Sequence, residues 1–480
     1  MYDVIIIGCG IIGTAAAYEL SKYDISIALL EKENDIAQGA TKANSAIVHA
    51  GYDPEEGTLM AKYNIKGASM MKDICEAFDV PYKQCGAFVL AFDDTDMQEV
   101  EKLYKRGKNN GVPGLRITGH DETLALEPML SKSIAGALYA PSSGIVDPWD
   151  LCIAYAQTAV RNGVELKLSN TVIDIIRMGD RFIVKTDKSE YETRYVINAA
   201  GTHADRINDM VCEHRFTIVP TKGEYYVIDK KDSGLINATI FQCPSAKGKG
   251  VLVSRTVHGN LIVGPDADPQ EDPDDTSVKQ SALDYIMEAS LRSVPTINFR
   301  SVIRSYAGVR ANSDIGEFVI GEAPETPGFI NLAAIKSPGL TSAPAIGLDA
   351  VDILKDAGLK MNKKNEYVET RKMIRFDELP AEEKNALIAS DPHFGKIICR
   401  CEHVTEGEIL AAIHDVIPAL TIDAIKKRCR SGMGRCQGGF CGPRIAEIIA
   451  RETGMPMTEI LQGPVGSEIL VAPTKSREEA

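Results

Sequence analysis

A G-x-G-x-x-G turn, Gly8, Gly10 and Gly13, stands between an apolar run at residues 3–7 and a helix-like stretch at residues 11–22. A second apolar run, residues 25–30, then ends on Glu31. Uninterrupted apolar strands are what a parallel sheet covered on both faces requires. Gly8 permits the tight turn, Gly10 lets backbone approach a pyrophosphate, and Gly13 allows close helix–strand packing. The helix N-terminus attracts phosphate and Glu31 is placed for ribose hydroxyls. The pattern predicts a βαβ unit over the first thirty-two residues and confines this part of the chain to a dinucleotide-binding α/β fold. Its place near residue 1 favours FAD as a resident cofactor, although the motif also serves NAD.

Four cysteines define a second centre. Cys399 and Cys401 form C-x-C, and Cys436 and Cys441 form C-x4-C, with 34 residues between the pairs. Two thiolate pairs brought together by a short helical segment make a four-sulfur site for iron–sulfur or zinc. Zinc sites favour C-x2-C pairs, and neither pair has that spacing. Cys429 matches no ligand position and reads as a spare thiol. The remaining cysteines of the total of 11 read as free buried thiols.

Between these centres, strands and helices alternate, with short β-type runs at residues 172–176, 182–186 and 195–199. Those at 225–229, 250–254 and 260–263 suggest a separate, more antiparallel sheet. An Asp/Pro-rich stretch, residues 266–276, reads as an exposed loop. A strand at 332–335 and a helix at 343–357 return to the nucleotide domain. Residues 360–391 are charged and irregular and read as linker, and residues 476–480 as a disordered tail. With 53 basic against 67 acidic residues, a formal charge of -14, nucleic acid is not the expected main partner. No stretch of eighteen apolar residues occurs, so no transmembrane helix is expected. The N-terminal residues read as a strand rather than a signal peptide. The expected location is cytoplasmic, with peripheral contact at the inner membrane face if a quinone takes the electrons.

Residues 8–13, 41–51 (TKANSAIVHAG), 144–148 (GIVDP), 198–201 (NAAG), 305–310 (SYAGVR) and 337–341 (SPGLT) resemble the D-amino-acid-oxidase superfamily of FAD enzymes. Within it they look most like the FAD-dependent glycerol-3-phosphate dehydrogenases and L-2-hydroxyglutarate oxidases. The C-terminal cysteine segment is similar to the bacterioferritin-associated-ferredoxin type, which binds a 2Fe–2S cluster. The resemblance implies a mixed α/β and α+β fold. A Rossmann-like FAD-binding domain carries an inserted antiparallel-sheet substrate domain, and a small helical iron–sulfur domain follows. On this division residues 1–357 form the oxidoreductase, with FAD-binding pieces at 1–80, 145–215 and 305–357 and substrate-domain pieces at 81–144 and 216–304. Residues 358–395 are linker, 396–462 the 2Fe–2S domain and 463–480 the tail.

Carried onto this sequence, the resemblance implies FAD contacts from Gly8, Gly10, Ile12, Gly13, Glu31, Lys32, Thr41, Asn44, Ser45, Val172, Gly201, Gly308, Gly339, Leu340 and Thr341. It places His49 at the substrate face of the flavin and makes Cys399, Cys401, Cys436 and Cys441 the cluster ligands. Oxidising a secondary alcohol needs a hydride acceptor, a base and a cation that holds the substrate. His49 suits the base; its alternatives are a structural hydrogen bond or a covalent flavin link. Arg310 suits the anion clamp, because a guanidinium forks onto phosphate or carboxylate. Lys336 is a second cation. The hydroxyglutarate oxidases often carry an acid at that position, so Lys336 favours a phosphate-bearing substrate. Arg304 and Lys222 are weaker candidates for the same pocket.

The expected function is oxidation of a small anionic secondary alcohol, foremost sn-glycerol 3-phosphate. Electrons would pass through the 2Fe–2S centre to a protein or quinone, and a hetero-oligomer with another redox subunit is the corresponding assembly. A 2-hydroxy acid, an amino or imino acid, and a role as electron-transfer subunit are the alternatives.

Overall fold

The computed structural model describes residues 1–244 and 250–472. The tail reading at 476–480 lies outside the described residues. Two compact units emerge: residues 1–32 with 36–371, and Glu33–Asp35 with the chain from Lys372 onward.

In the first unit, strand Tyr2–Ile7 pairs in parallel with Ile27–Leu30 on one side and Glu190–Asn198 on the other. Glu165–Lys167 and Phe329–Ala333 extend the sheet outward, again in parallel. Val172–Met178 and Arg181–Thr186 add an antiparallel hairpin that leads into Glu190–Asn198. The helix Ile11–Ser21 is buried at every residue but Ile12. It packs between helices Pro148–Arg161 and Gly339–Asp356, which is why its sequence is apolar nearly all round.

A second, mainly antiparallel sheet holds nine strands among the described residues. Its longest ladder joins Ile218–Ile228 to Val302–Ser313, and its one parallel pairing joins Thr239–Gln242 to Ala87–Ala91. Phe88, Leu90, Ile240, Val253, Leu261, Val263 and Ile286 pack together on one side. Each fully buried aliphatic or aromatic side chain there contributes roughly 1.5–3 kcal/mol.

The stretch read as linker is structured on both sides of the unit boundary. Lys363 bridges to Tyr23, and the Lys364 amide donates to the Lys22 carbonyl. Arg371 is 2 % exposed and donates to Asp150, Gln157 and the Phe78 carbonyl. Farther on, Ala381–Ser390 is a helix. Charge-rich composition signalled solvent, but one arginine sunk between helices anchors the segment to the first unit.

The second unit packs three short helices, Glu406–Ile413, Ile422–Cys429 and Cys441–Thr453, around Ile409, Ile425, Ile445 and Ile449. Thr405 and Glu408 form a capping box on the first, and Thr421 caps the second. Asp35, 2 % exposed, belongs to this unit and is gripped by Lys427 at 2.8 Å and Arg428 at 2.9 Å. Burial alone would raise its carboxyl, but the Arg428 and Lys427 cations outweigh that and hold it well below the usual carboxylate range. A depressed carboxylate stabilises fully above its unfolded pKa and loses that contribution as pH falls through the folded one. Acid unfolding of Asp35→Asn, followed by circular dichroism, should therefore lack the component of stability that wild type loses below about pH 4.

Candidate active site and cysteine centre

The nucleotide end is built by close approach. Gly8 has φ +103°, and a Cβ on Gly13 would stand 2.0 Å from the Gly8 carbonyl oxygen. Gly10 occupies the N-cap and brings no capping side chain, which suits a helix end that receives phosphate. Glu31 accepts from the Cys9 amide at 2.8 Å, which fixes its carboxylate at the strand end. Gly201, with φ +59°, turns the chain beyond Glu190–Asn198, beside that end of the sheet. Val172 packs at the flank of the same sheet. The glycine cradle and anchored acid fit a dinucleotide. Gly13→Ala should weaken FAD retention about tenfold, the scale of a 1–3 kcal/mol overpacking cost; an unchanged flavin-to-protein absorbance ratio after dialysis would contradict this.

Lys32 is spent differently. It pairs with Asp274 at 3.1 Å, which also bonds His203. The Asp-rich loop therefore reaches over this end rather than standing free.

A cavity of about 140 Å³ lies next along the sheet. His49, Arg310 and Lys336 all line it, with Ile12, Thr41, Asn44, Ser45, Gly308, Gly339 and Leu340. The ladder explains part of this. Tyr225 faces Tyr306, Gly223 faces Gly308 and Thr221 faces Arg310, and the period of two turns Tyr306, Gly308 and Arg310 to one side. A Cβ on Gly308 would meet the Ala43 carbonyl oxygen at 2.0 Å, and one on Gly223 the Arg310 guanidinium at 2.3 Å. Glycine is needed at both positions for loop and guanidinium to lie on the sheet. Arg310 also donates to the Asp266 carbonyl at 3.1 Å.

His49 is held on several sides. Its amide donates to Thr341 Oγ1 at 2.9 Å, and its carbonyl accepts from Asn64 at 2.7 Å. Its Nε2 lies 3.3 Å from Ser337 Oγ. Thr341, read as a cofactor contact, is fully buried; its hydroxyl also bonds the Ile47 carbonyl, so it orients His49 and does not line the cavity. Asn44 lines the cavity while its amide folds its own loop through Ala40, Thr41 and Ala46.

Lys222 is 0 % exposed and pairs with Asp275 at 2.8 Å. Three residues from cavity-lining Tyr225, it faces the opposite side of the strand and does not line the cavity. Arg304 does not line the cavity either. Two tyrosines were missed. Tyr225 and Tyr306 stack with centroids 4.7 Å apart. Tyr225 OH meets Ser45 at 3.1 Å, and Tyr306 OH donates to the Asn44 carbonyl at 2.8 Å. The alternation Tyr306, Gly308, Arg310 was the available signal.

In the second unit Cys399 ends strand Ile397–Cys399, and Cys441 opens helix Cys441–Thr453. Cys401 and Cys436 sulfurs are 3.8 Å apart. Hydrogen bonding from Cys441 holds Cys399 down to about 6 against the opposing effect of burial, while the same bond pushes Cys441 up. Cys436 is lowered by the Phe440 amide, and Cys401 is raised by burial. Each motif thus gives one cysteine to each of two pairs, and each pair has one favoured thiolate. Among the described residues no three His, Cys, Asp or Glu side chains converge to hold a single metal ion. Four sulfur donors drawn from the two motifs are the set that a 2Fe–2S centre takes. Cys429 bonds the Ile425 carbonyl and stands outside the set. Cys436→Ser should abolish the visible absorbance beyond the flavin bands; a spectrum unmoved by the substitution would remove Cys436 from the ligands.

No helix among the described residues is long and apolar enough to cross a membrane.

Residues 3–353 match the FAD dependent oxidoreductase family, and residues 397–451 the BFD-like [2Fe-2S] binding domain. The chain is 50% identical over 477 residues to a glycerol 3-phosphate dehydrogenase of Caloramator mitchellensis, covering 99% of both. It is 34% identical over 371 residues to a glycerol 3-phosphate oxidase of Mycoplasma genitalium, covering 75% of this chain and 96% of the relative. In structure it resembles the dithionite-reduced, FAD-bound L-alpha-glycerophosphate oxidase of Mycoplasma pneumoniae, with TM-score 0.74 and 31% identity, covering 78% of this chain and 99% of the other.

Proposed function

The chain belongs to the FAD dependent oxidoreductase family, with FAD as cofactor and a 2Fe–2S domain at its C-terminal end, and from that premise we propose that it is a glycerol-3-phosphate dehydrogenase delivering electrons to a partner acceptor. The observation that carries the reading is the convergence of His49, Arg310 and Lys336 on one cavity in a chain half identical, end to end, to a glycerol 3-phosphate dehydrogenase.

Bound FAD supplies the hydride acceptor. The chain supplies the rest. Arg310 and Lys336 hold the phosphate dianion, the guanidinium through a fork and the ammonium as a point charge. That grip aims the secondary hydroxyl at His49, whose Nε2 takes the hydroxyl proton as the C–H bond breaks. Thr341 holds the His49 amide and Ser337 meets the imidazole at Nε2, so little reorganisation is needed. Thr41, Asn44 and Ser45 line the same cavity as residues 337–340, and the stacked tyrosines brace Asn44 and Ser45. Cys399, Cys401, Cys436 and Cys441 hold the two-iron centre, which supplies one-electron chemistry. A protein or quinone receives the electrons, and a hetero-oligomer with a redox subunit is the assembly this implies.

Anaerobic mixing with glycerol 3-phosphate should bleach the flavin, while L-2-hydroxyglutarate, glycine and proline should not. Bleaching by the hydroxy acid in place of glycerol 3-phosphate would move the substrate assignment there. Bleaching by no small molecule would leave an electron-transfer subunit.

A further inference from the structure

We propose that the face around Cys401 and Cys436 is a docking surface for an acidic one-electron carrier protein. This rests on the reading above that electrons leave through the iron–sulfur domain, and it names the kind of acceptor.

The two sulfur pairs differ in depth. Cys399 is 2 % and Cys441 1 % exposed, whereas Cys401 is exposed and Cys436 partly so. The Cys401–Cys436 pair is the outward side of the centre. Arg400 adjoins Cys401 and Arg435 adjoins Cys436, and both arginines are exposed. Because the two sulfurs are 3.8 Å apart, the arginines flank a single spot. Exposed Arg444 follows in the first turn of Cys441–Thr453.

Residues 430–444 carry Arg430, Arg435 and Arg444 and no Asp or Glu. Glu402 pairs with Arg430 at 3.3 Å, so these two charges offset and the cationic character comes from Arg400, Arg435 and Arg444. This local excess of cation sits on a chain of net charge -14, so it stands out against the surface as a whole. Guanidinium groups pair with carboxylates by planar forks. Complementary charge of this kind steers and orients a protein partner.

Phe440 lies between Gly439 and Cys441 and is 78 % exposed. An exposed aromatic with exposed Arg435 five residues before it and Arg444 four residues after it supplies the apolar anchor and the charged neighbours of a protein interface. It stands beside a glycine loop and is open to solvent, which favours the broad surface of a protein over a small apolar acceptor that needs enclosure. The 2Fe–2S chemistry sets the electron count at one per encounter.

The holoprotein is titrated with flavodoxin, an acidic probe, and with cytochrome c, a basic one. Flavodoxin should bind and cytochrome c should not. Flavodoxin affinity should fall at least about tenfold between 0.05 and 0.3 M salt. Arg435→Glu, Arg444→Glu and Phe440→Ala should each weaken it about tenfold. Lys105→Glu, on the helix Asp94–Asn109 of the other unit, should leave it unchanged. Visible absorbance of each variant verifies that the cluster is retained, and Arg444→Glu and Phe440→Ala decide the matter if Arg435→Glu loses it. Equal binding of both probes, or affinity unmoved by both Arg444→Glu and Phe440→Ala, overturns the proposal. Oxidation of glycerol 3-phosphate with a small dye as acceptor needs no docking. Its failure in wild type would strike the assigned reaction, while the binding result would stand or fall by itself.

Discussion

Arg310→Ala should raise KM for glycerol 3-phosphate about a hundredfold, the loss of roughly 2–3 kcal/mol that a charged hydrogen-bonding partner contributes. The cavity assigns this guanidinium to substrate on geometry. It lies over Gly223, faces the same space as His49 and Lys336, and donates to the Asp266 carbonyl. Arg310→Lys keeps the charge and loses the fork, so its KM should rise only about tenfold. Because the clamp grips ground state and transition state alike, kcat should change less than KM. Steady-state kinetics with a dye acceptor measures both constants. An unchanged KM in the alanine variant would take Arg310 out of the site, whatever happened to kcat.

The largest stability effect should come from Arg371→Leu, far from the chemistry. The guanidinium is 1 % exposed and meets Asp150 at 2.5 Å, together with Gln157 and the Phe78 carbonyl. Removing it takes the guanidinium from a buried carboxylate at the start of helix Pro148–Arg161, a cost of about 3–5 kcal/mol. The urea midpoint of the first unit, followed by flavin fluorescence, should fall accordingly. The double variant Asp150→Asn/Arg371→Leu should recover part of the loss, because no charge is left unmatched. A single variant as stable as wild type would refute the anchoring role.

These two arginines show what could be read from the chain and what could not. Arg310 was legible through the motif at residues 305–310 that carries the resemblance, and through the fork a guanidinium offers an anion. The nucleotide unit was legible because each glycine of residues 8–13 answers a local steric demand. Arg371 was hidden, because a single buried cation inside a run of exposed charges differs from its neighbours only in what lies across from it. Lys222 went wrong through parity: Ile218–Ile228 takes it into the strand, three residues from cavity-lining Tyr225, and an odd separation turns its side chain to the other face. Thr341 lies in the right motif, but its hydroxyl is drawn to the backbone that carries His49. The tyrosine stack needed a cross-strand register that no single segment contains.

The placement of Asp35 bears on how such a chain can be taken apart. Three residues between the second strand and the flavin loop belong to the C-terminal unit, and their carboxylate neutralises two cations buried on the Ile422–Cys429 helix. A fragment beginning at Lys372 would keep Lys427 and Arg428 and lose their counterion, leaving like charges side by side in a dry interior. The iron–sulfur segment is therefore not a cassette that can be cut at one point and grafted elsewhere. Any transplant must carry an acid in place of Asp35 or exchange both cations, and shuffling in an ancestor would have faced the same requirement.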